Sequence, residues 1–85
     1  MVQTMTQQAK GISTRLKNQM KRYIGKRYNY YWHGQQFMWT VTIKGLIGDT
    51  GYFSTEVNEG DNVWQSNASY GEVTNNIKKG LYIEA

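Results

Sequence analysis

From Phe37 to Lys44 the chain alternates without interruption: Phe37, Trp39, Val41 and Ile43 fall on one side, and Thr40, Thr42 and Lys44 on the other. A two-residue apolar period is what an antiparallel strand needs when one face meets a core and the other meets water, and no helix satisfies it. A chain of 85 residues containing such a strand has to be organised around a sheet. Tyr52–Val57 alternates in the same way, with Phe53, Thr55 and Val57 on one side. Upstream, Tyr28-Asn29-Tyr30-Tyr31-Trp32 is separated from Phe37 by the turn-rich His33-Gly34-Gln35-Gln36, which reads as a hairpin. Tyr28, Tyr30 and Trp32 share one face of that first strand, so Tyr31 is the aromatic expected to be exposed. Asn58-Glu59-Gly60-Asp61 carries turn chemistry, and Asn62–Ser66 is long enough to return as a further strand.

Helical periodicity brackets this meander. Met5, Ala9, Ile12, Leu16, Met20, Tyr23 and Ile24 recur at steps of three and four, predicting an amphipathic helix that starts between Thr4 and Ser13 and stops at Gly25. Ser69 stands three residues before Glu72, a capping-box spacing, ahead of Tyr70, Val73 and Ile77 on one helical stripe. Lys78 and Lys79 complement the far end of that helix dipole, and Gly80 suits the left-handed residue that closes many helices. Leu81–Glu84 either forms a short terminal strand or docks without one. The expected architecture is one α+β domain over residues 1–85. It comprises a basic amphipathic helix region (1–27), an antiparallel sheet of three or four strands (28–66) and a C-terminal helix (69–80), with the helices packed on one sheet face.

A domain this small buries a thin core, and without cysteine no disulfide or thiolate metal site supplements it. The single His33, in a turn sequence beside Gly34, provides neither a metal cluster nor a nucleophile–base pair, so catalysis, metals and cofactors are not expected. Gly45-x-x-Gly48-x-x-Gly51 lacks the Gly-Lys-Ser/Thr ending of a phosphate loop and reads as a turning connection. No run approaches the 18 apolar residues of a membrane span, and cytoplasmic residence is the default expectation. An acid-free amphipathic N-terminus also fits an organelle transit peptide.

The net charge of +4 hides a polarity. Lys10, Arg15, Lys17, Lys21, Arg22, Lys26 and Arg27 precede any acid, the first of which is Asp49, whereas the remainder of the chain is net acidic. A basic segment that runs into Tyr28, Tyr30, Tyr31 and Trp32 combines phosphate-neutralising cations with flat rings able to stack on unpaired bases. The leading expectation is therefore a non-enzymatic nucleic-acid-binding protein of low sequence specificity, with single strands or RNA slightly favoured. Arg15, Lys17, Lys21, Arg22, Lys26 and Arg27 would contact phosphates and Tyr31 would stack. The alternative is a small protein-binding module or inhibitor of phage or mobile-element type that docks on a larger host protein through the same residues, because Tyr, Trp and Arg dominate interface hot spots. A homodimer is compatible with both readings, and an interfacial helix over Met5–Ile24 on anionic lipid is a third.

The stretch Phe37–Leu81, with Val63-Trp64-Gln65-Ser66 leading into Ser69-Tyr70-Gly71-Glu72, resembles the sheet-then-helix units of HicB-type antitoxins. The full helix, strands, helix order resembles the double-stranded-RNA-binding fold. Neither rests on a diagnostic motif, since Lys78 and Lys79 end the last helix instead of opening it, and no family is assigned.

Overall fold

A computed structural model describes residues 11–85 of the chain. In chain order the elements are α1 (Thr14–Lys21), β1 (Arg27–Trp32), β2 (Gln36–Leu46), β3 (Tyr52–Glu59), β4 (Asn62–Ser69), α2 (Tyr70–Lys78) and β5 (Tyr82–Glu84). The fold is α+β: two helices and one antiparallel sheet in the order β4-β3-β2-β1-β5. Four strands follow one another as a meander, and β5 returns after α2 to pair with β1 at the opposite edge, Tyr82 facing Tyr30 and Glu84 facing Tyr28.

The sheet has five strands where three or four were expected, because Tyr82–Glu84 gains strand geometry only from the partner β1 provides. It spans residues 27–69 and 82–84, wider than 28–66, and Arg27 belongs to it instead of to the helical region. Helix α1 ends at Lys21 and not at Ile24: the chain tightens into turns through Tyr23 and Ile24. At Gly25 it adopts φ +90° and donates its N–H to the Ile43 carbonyl at 2.8 Å. A residue with a Cβ is strained at that φ, so Gly25 marks the exit from helix into sheet. Ser13 caps α1 by accepting from the Leu16 N–H at 3.1 Å. Met5, Ala9 and Lys10 of the expected helix lie outside the described residues.

Val41 and Ile43 of β2 pair with Val57 and Thr55 of β3, and with Phe53 they form the buried face that alternation predicts. Met20 of α1 and Val73 of α2 are fully buried in the same cluster, together with Tyr28, Ala68 and Tyr82. Tyr23, Phe53 and Tyr70 stack around one point, with ring centroids 5.9 Å (Tyr23–Phe53), 5.8 Å (Tyr23–Tyr70) and 6.4 Å (Phe53–Tyr70) apart. Helix α2 starts where the capping box places it, Ser69 Oγ accepting from the Glu72 N–H at 3.0 Å. Ser69→Ala is expected to cost about 1 kcal/mol of stability, read as a lower urea midpoint at unchanged slope. No change in midpoint would mean that another acceptor takes over the cap.

One feature of β2 departs from simple alternation. Tyr30 pairs with Trp39 but Tyr31 pairs with Phe37, leaving Met38 as an extra residue in β2. The bulge reverses Phe37 relative to Trp39. Phe37, expected on the core side with Trp39, Val41 and Ile43, instead faces Tyr31 and is 51% exposed. A second irregularity at Lys44, between Ile43 and Gly45, keeps Leu46 opposite Phe53 and makes Gly45 part of the strand and not of the loop that follows.

Candidate nucleic-acid interface

Strand β1 alternates regularly, so Arg27, Asn29 and Tyr31 share the sheet face opposite Tyr28 and Tyr30. That face continues over Thr40 and Thr42 of β2, over Ser54, Glu56 and Asn58 of β3, and over Val63, Gln65 and Asn67 of β4. None of these residues is buried. Thr40 Oγ1 donates to the Asn29 carboxamide at 2.9 Å, and the Gln65 amide donates to the Glu56 carboxylate at 3.3 Å, so the face is a pre-ordered polar surface. At its hairpin end Tyr31 and Phe37 meet edge to face with centroids 5.7 Å apart. Tyr31 is half-buried by this contact, and Phe37 and Trp32, both 51% exposed, are the more open rings. Arg27 lies about 13 Å along the strand from Tyr31, at about 3.3 Å per residue.

The six candidate cations divide by environment. Lys17 is ion-paired with Asp49, whose backbone carbonyl also accepts the Ile12 N–H at 3.1 Å, so the start of α1 is tied to the β2–β3 loop. Lys26 pairs with Glu84 at 3.2 Å, tying the start of β1 to the end of β5. Arg15, Lys21, Arg22 and Arg27 are exposed and make no ion pair among the described residues. Arg15 and Lys21 sit on α1, Arg22 caps it, and Arg27 alone shares the polar sheet face with Tyr31. The structure thus joins Arg27 and Tyr31 on one surface and leaves the helical cations as a separate group. Phe37 was missed as a site residue because nothing local distinguishes a bulge at Met38 from continued alternation. Asn29 and Thr40 were legible as polar positions but not as a bonded pair across β1 and β2.

Beneath this surface, burial pushes the Tyr28 phenol up to about 12, and the neighbouring Glu84 charge adds to the shift. Burial likewise raises Tyr23, helped by Tyr70, and raises Tyr82, which stacks on Tyr28 with centroids 5.5 Å apart. An unfolded tyrosine ionises near pH 10, so the stabilisation associated with the neutral Tyr28 is complete below about pH 10 and is lost between pH 10 and about 12. Absorbance titration at 295 nm is expected to show a late-ionising tyrosine whose deprotonation coincides with loss of the circular dichroism signal. Complete ionisation by about pH 11 with the fold intact would contradict this.

No cluster of three or more His, Cys, Asp or Glu residues gathers among the described residues, and none of their helices is long and apolar enough to cross a membrane. Comparison of the chain with models of protein families, with characterised proteins and with solved structures finds no match.

Proposed function

We propose that this chain is a non-enzymatic protein that binds single-stranded nucleic acid, RNA or DNA, with low sequence specificity. Tyr31 and Phe37 stack on unpaired bases, Arg27 neutralises a phosphate beside them, and Arg15, Lys21 and Arg22 extend the electrostatic footprint. The observation that carries this reading is the position of Arg27, Asn29, Tyr31 and Phe37 on a sheet face where no residue is buried. Part of the same proposal is that α1 and α2 cover the opposite face, a placement supported by Met20 and Val73 within the core cluster. Lys17 and Lys26 contribute less, since each is already neutralised by a carboxylate.

Fluorescence anisotropy with labelled random single-stranded RNA, single-stranded DNA and duplex DNA between about 50 and 200 mM salt tests it. Four unpaired cations imply a slope of log K against log salt near −3 on single strands, with single strands bound more tightly than duplex. Absence of binding at the lowest salt rejects the proposal.

A second reading, a module docking on a larger protein, is favoured by a separate feature. Tyr30, Trp39, Trp64 and Tyr82 line an open cleft of about 200 Å³ on the opposite sheet face, with Trp39 and Trp64 packed edge to face at 5.7 Å. Trp64→Ala would then abolish partner capture while leaving nucleic-acid affinity unchanged.

A further inference from the structure

The two edges of the sheet are unlike. Strand β5 is three residues long and carries Glu84, which is paired to Lys26, so that edge is short and charged. Strand β4, at the other edge, is eight residues long, and Asn62-Val63-Trp64-Gln65-Ser66-Asn67-Ala68-Ser69 contains no charged residue and no proline. Each of the other four strands carries at least one charge. The β3–β4 ladder runs without a register shift from Glu59–Asn62 to Tyr52–Ser69, so no bulge bends β4 away. Residues 62–67 are all exposed. Charge, proline, bulges and covering elements are the usual means of blocking an edge, and among the described residues β4 has none of them.

Ladder geometry defines what this edge offers. The Tyr70 N–H donates to the Gly51 carbonyl at 2.9 Å, which makes Tyr52–Ser69 a pair that does not exchange hydrogen bonds directly. By alternation, Trp64, Ser66 and Ala68 bond to β3, whereas the backbone N–H and C=O groups of Val63, Gln65 and Asn67 point outward. Among the described residues no hydrogen bond fills these outward groups. They form a periodic row centred on Gln65.

We propose that β4 pairs antiparallel with β4 of a second copy of this chain, about a two-fold axis at Gln65 perpendicular to the sheet. This register overlaps seven residues of each strand, with Asn62 opposite Ala68 of the second copy and Gln65, the middle of the outward row, opposite its own equivalent and exchanging both backbone hydrogen bonds. Trp64 then lies opposite Ser66 of the second copy, and Val63 opposite Asn67, so no like charges meet along the seam. Self-complementarity selects a second copy over an unrelated strand, because one uncharged sequence satisfies both sides. The axis keeps both polar faces on the same side of a continuous ten-stranded sheet. The dimer stands independently of nucleic-acid binding.

Sedimentation equilibrium over protomer concentrations of about 10 to 500 μM is expected to give twice the chain mass, with the monomer populated on dilution. Monomer throughout overturns the proposal. Gln65→Pro removes an outward N–H that the fold itself does not use, and Gln65→Lys places two like charges at the axis. Both are expected to be monomeric with native circular dichroism, and a dimer that survives both overturns the seam. The chain has no cysteine, so register can be read directly. Gln65→Cys should oxidise to a covalent dimer because directly opposed residues lie about 5.5 Å apart at Cα, whereas Asn62→Cys should not. The reverse pattern overturns the register.

Discussion

Phe53→Ala is expected to bring the protein close to, or past, its unfolding threshold at 25 °C. Phe53 is 0% exposed, sits opposite Leu46 and Ala68 on its two neighbouring strands, and packs its ring against Tyr23 and Tyr70. Truncating a buried phenylalanine costs about 3–5 kcal/mol, the sum of lost transfer energy and an unfilled cavity. A domain of this length has a total stability of only about 4–13 kcal/mol at 0.05–0.15 kcal/mol per residue, and small cores fall at the lower end. Collapse into the cavity is restricted because it is bounded by the turn after α1, the first turn of α2 and two strands. Urea unfolding followed by tryptophan fluorescence should show a midpoint lowered by about 1–5 M, or no folded baseline, given a slope near 1–3 kcal/mol/M. Gln35→Ala, at an exposed position in the β1–β2 turn, is the control and should stay within about 0.5 kcal/mol. A comparably small effect of Phe53→Ala would show that the aromatic cluster is not the centre of the core.

The second large effect concerns binding and separates stacking from charge. Tyr31→Ala and Phe37→Ala are each expected to weaken single-strand affinity by about 1–3 kcal/mol, roughly 5- to 150-fold, while leaving the salt slope unchanged. Arg27→Ala should reduce the slope by about 0.7, and replacing Arg15, Lys21 and Arg22 together should reduce it by about 2. Lys17→Ala should weaken affinity less than Arg27→Ala and leave the salt slope nearly unchanged, because Lys17 is paired with Asp49 and makes no phosphate contact in this reading. An affinity loss from the aromatic variants that tracks salt, or equal losses from Lys17→Ala and Arg27→Ala, would mean that a diffuse positive field and not the sheet face holds the ligand. The aromatic variants should remain folded, since Phe37 is exposed and Tyr31 only half-buried.

Local physics was sufficient for much of this chain. Alternation assigned Val41, Ile43, Phe53 and Val57 to the buried face, because a strand has two sides and only one can be dry. Ser69 announced α2 because a hydroxyl at that spacing satisfies a helix-end N–H, and Gly25 and Gly80 both take the positive φ that ends such segments. The acid-free run of cations was equally plain, since net charge needs no structure to be counted. What escaped was decided across long separations. Tyr82–Glu84 has too few residues to be a strand alone and becomes one because β1 has an unfilled edge. Lys17 and Lys26 look like their neighbours in sequence, and only folding brings Asp49 and Glu84 against them.

The sequence by itself determined both helical stripes, the first four strands, most of the dry face and the concentration of positive charge, all of which follow from periods of two or three to four residues and from composition. The tertiary structure alone decided that Phe37 turns to meet Tyr31, that four of the six candidate cations have no ion pair among the described residues, and that β4 is the long bare edge. Each of these depends on which strand lies beside which, and in what register. Pairing is a property of two segments taken together, with no signature in either one.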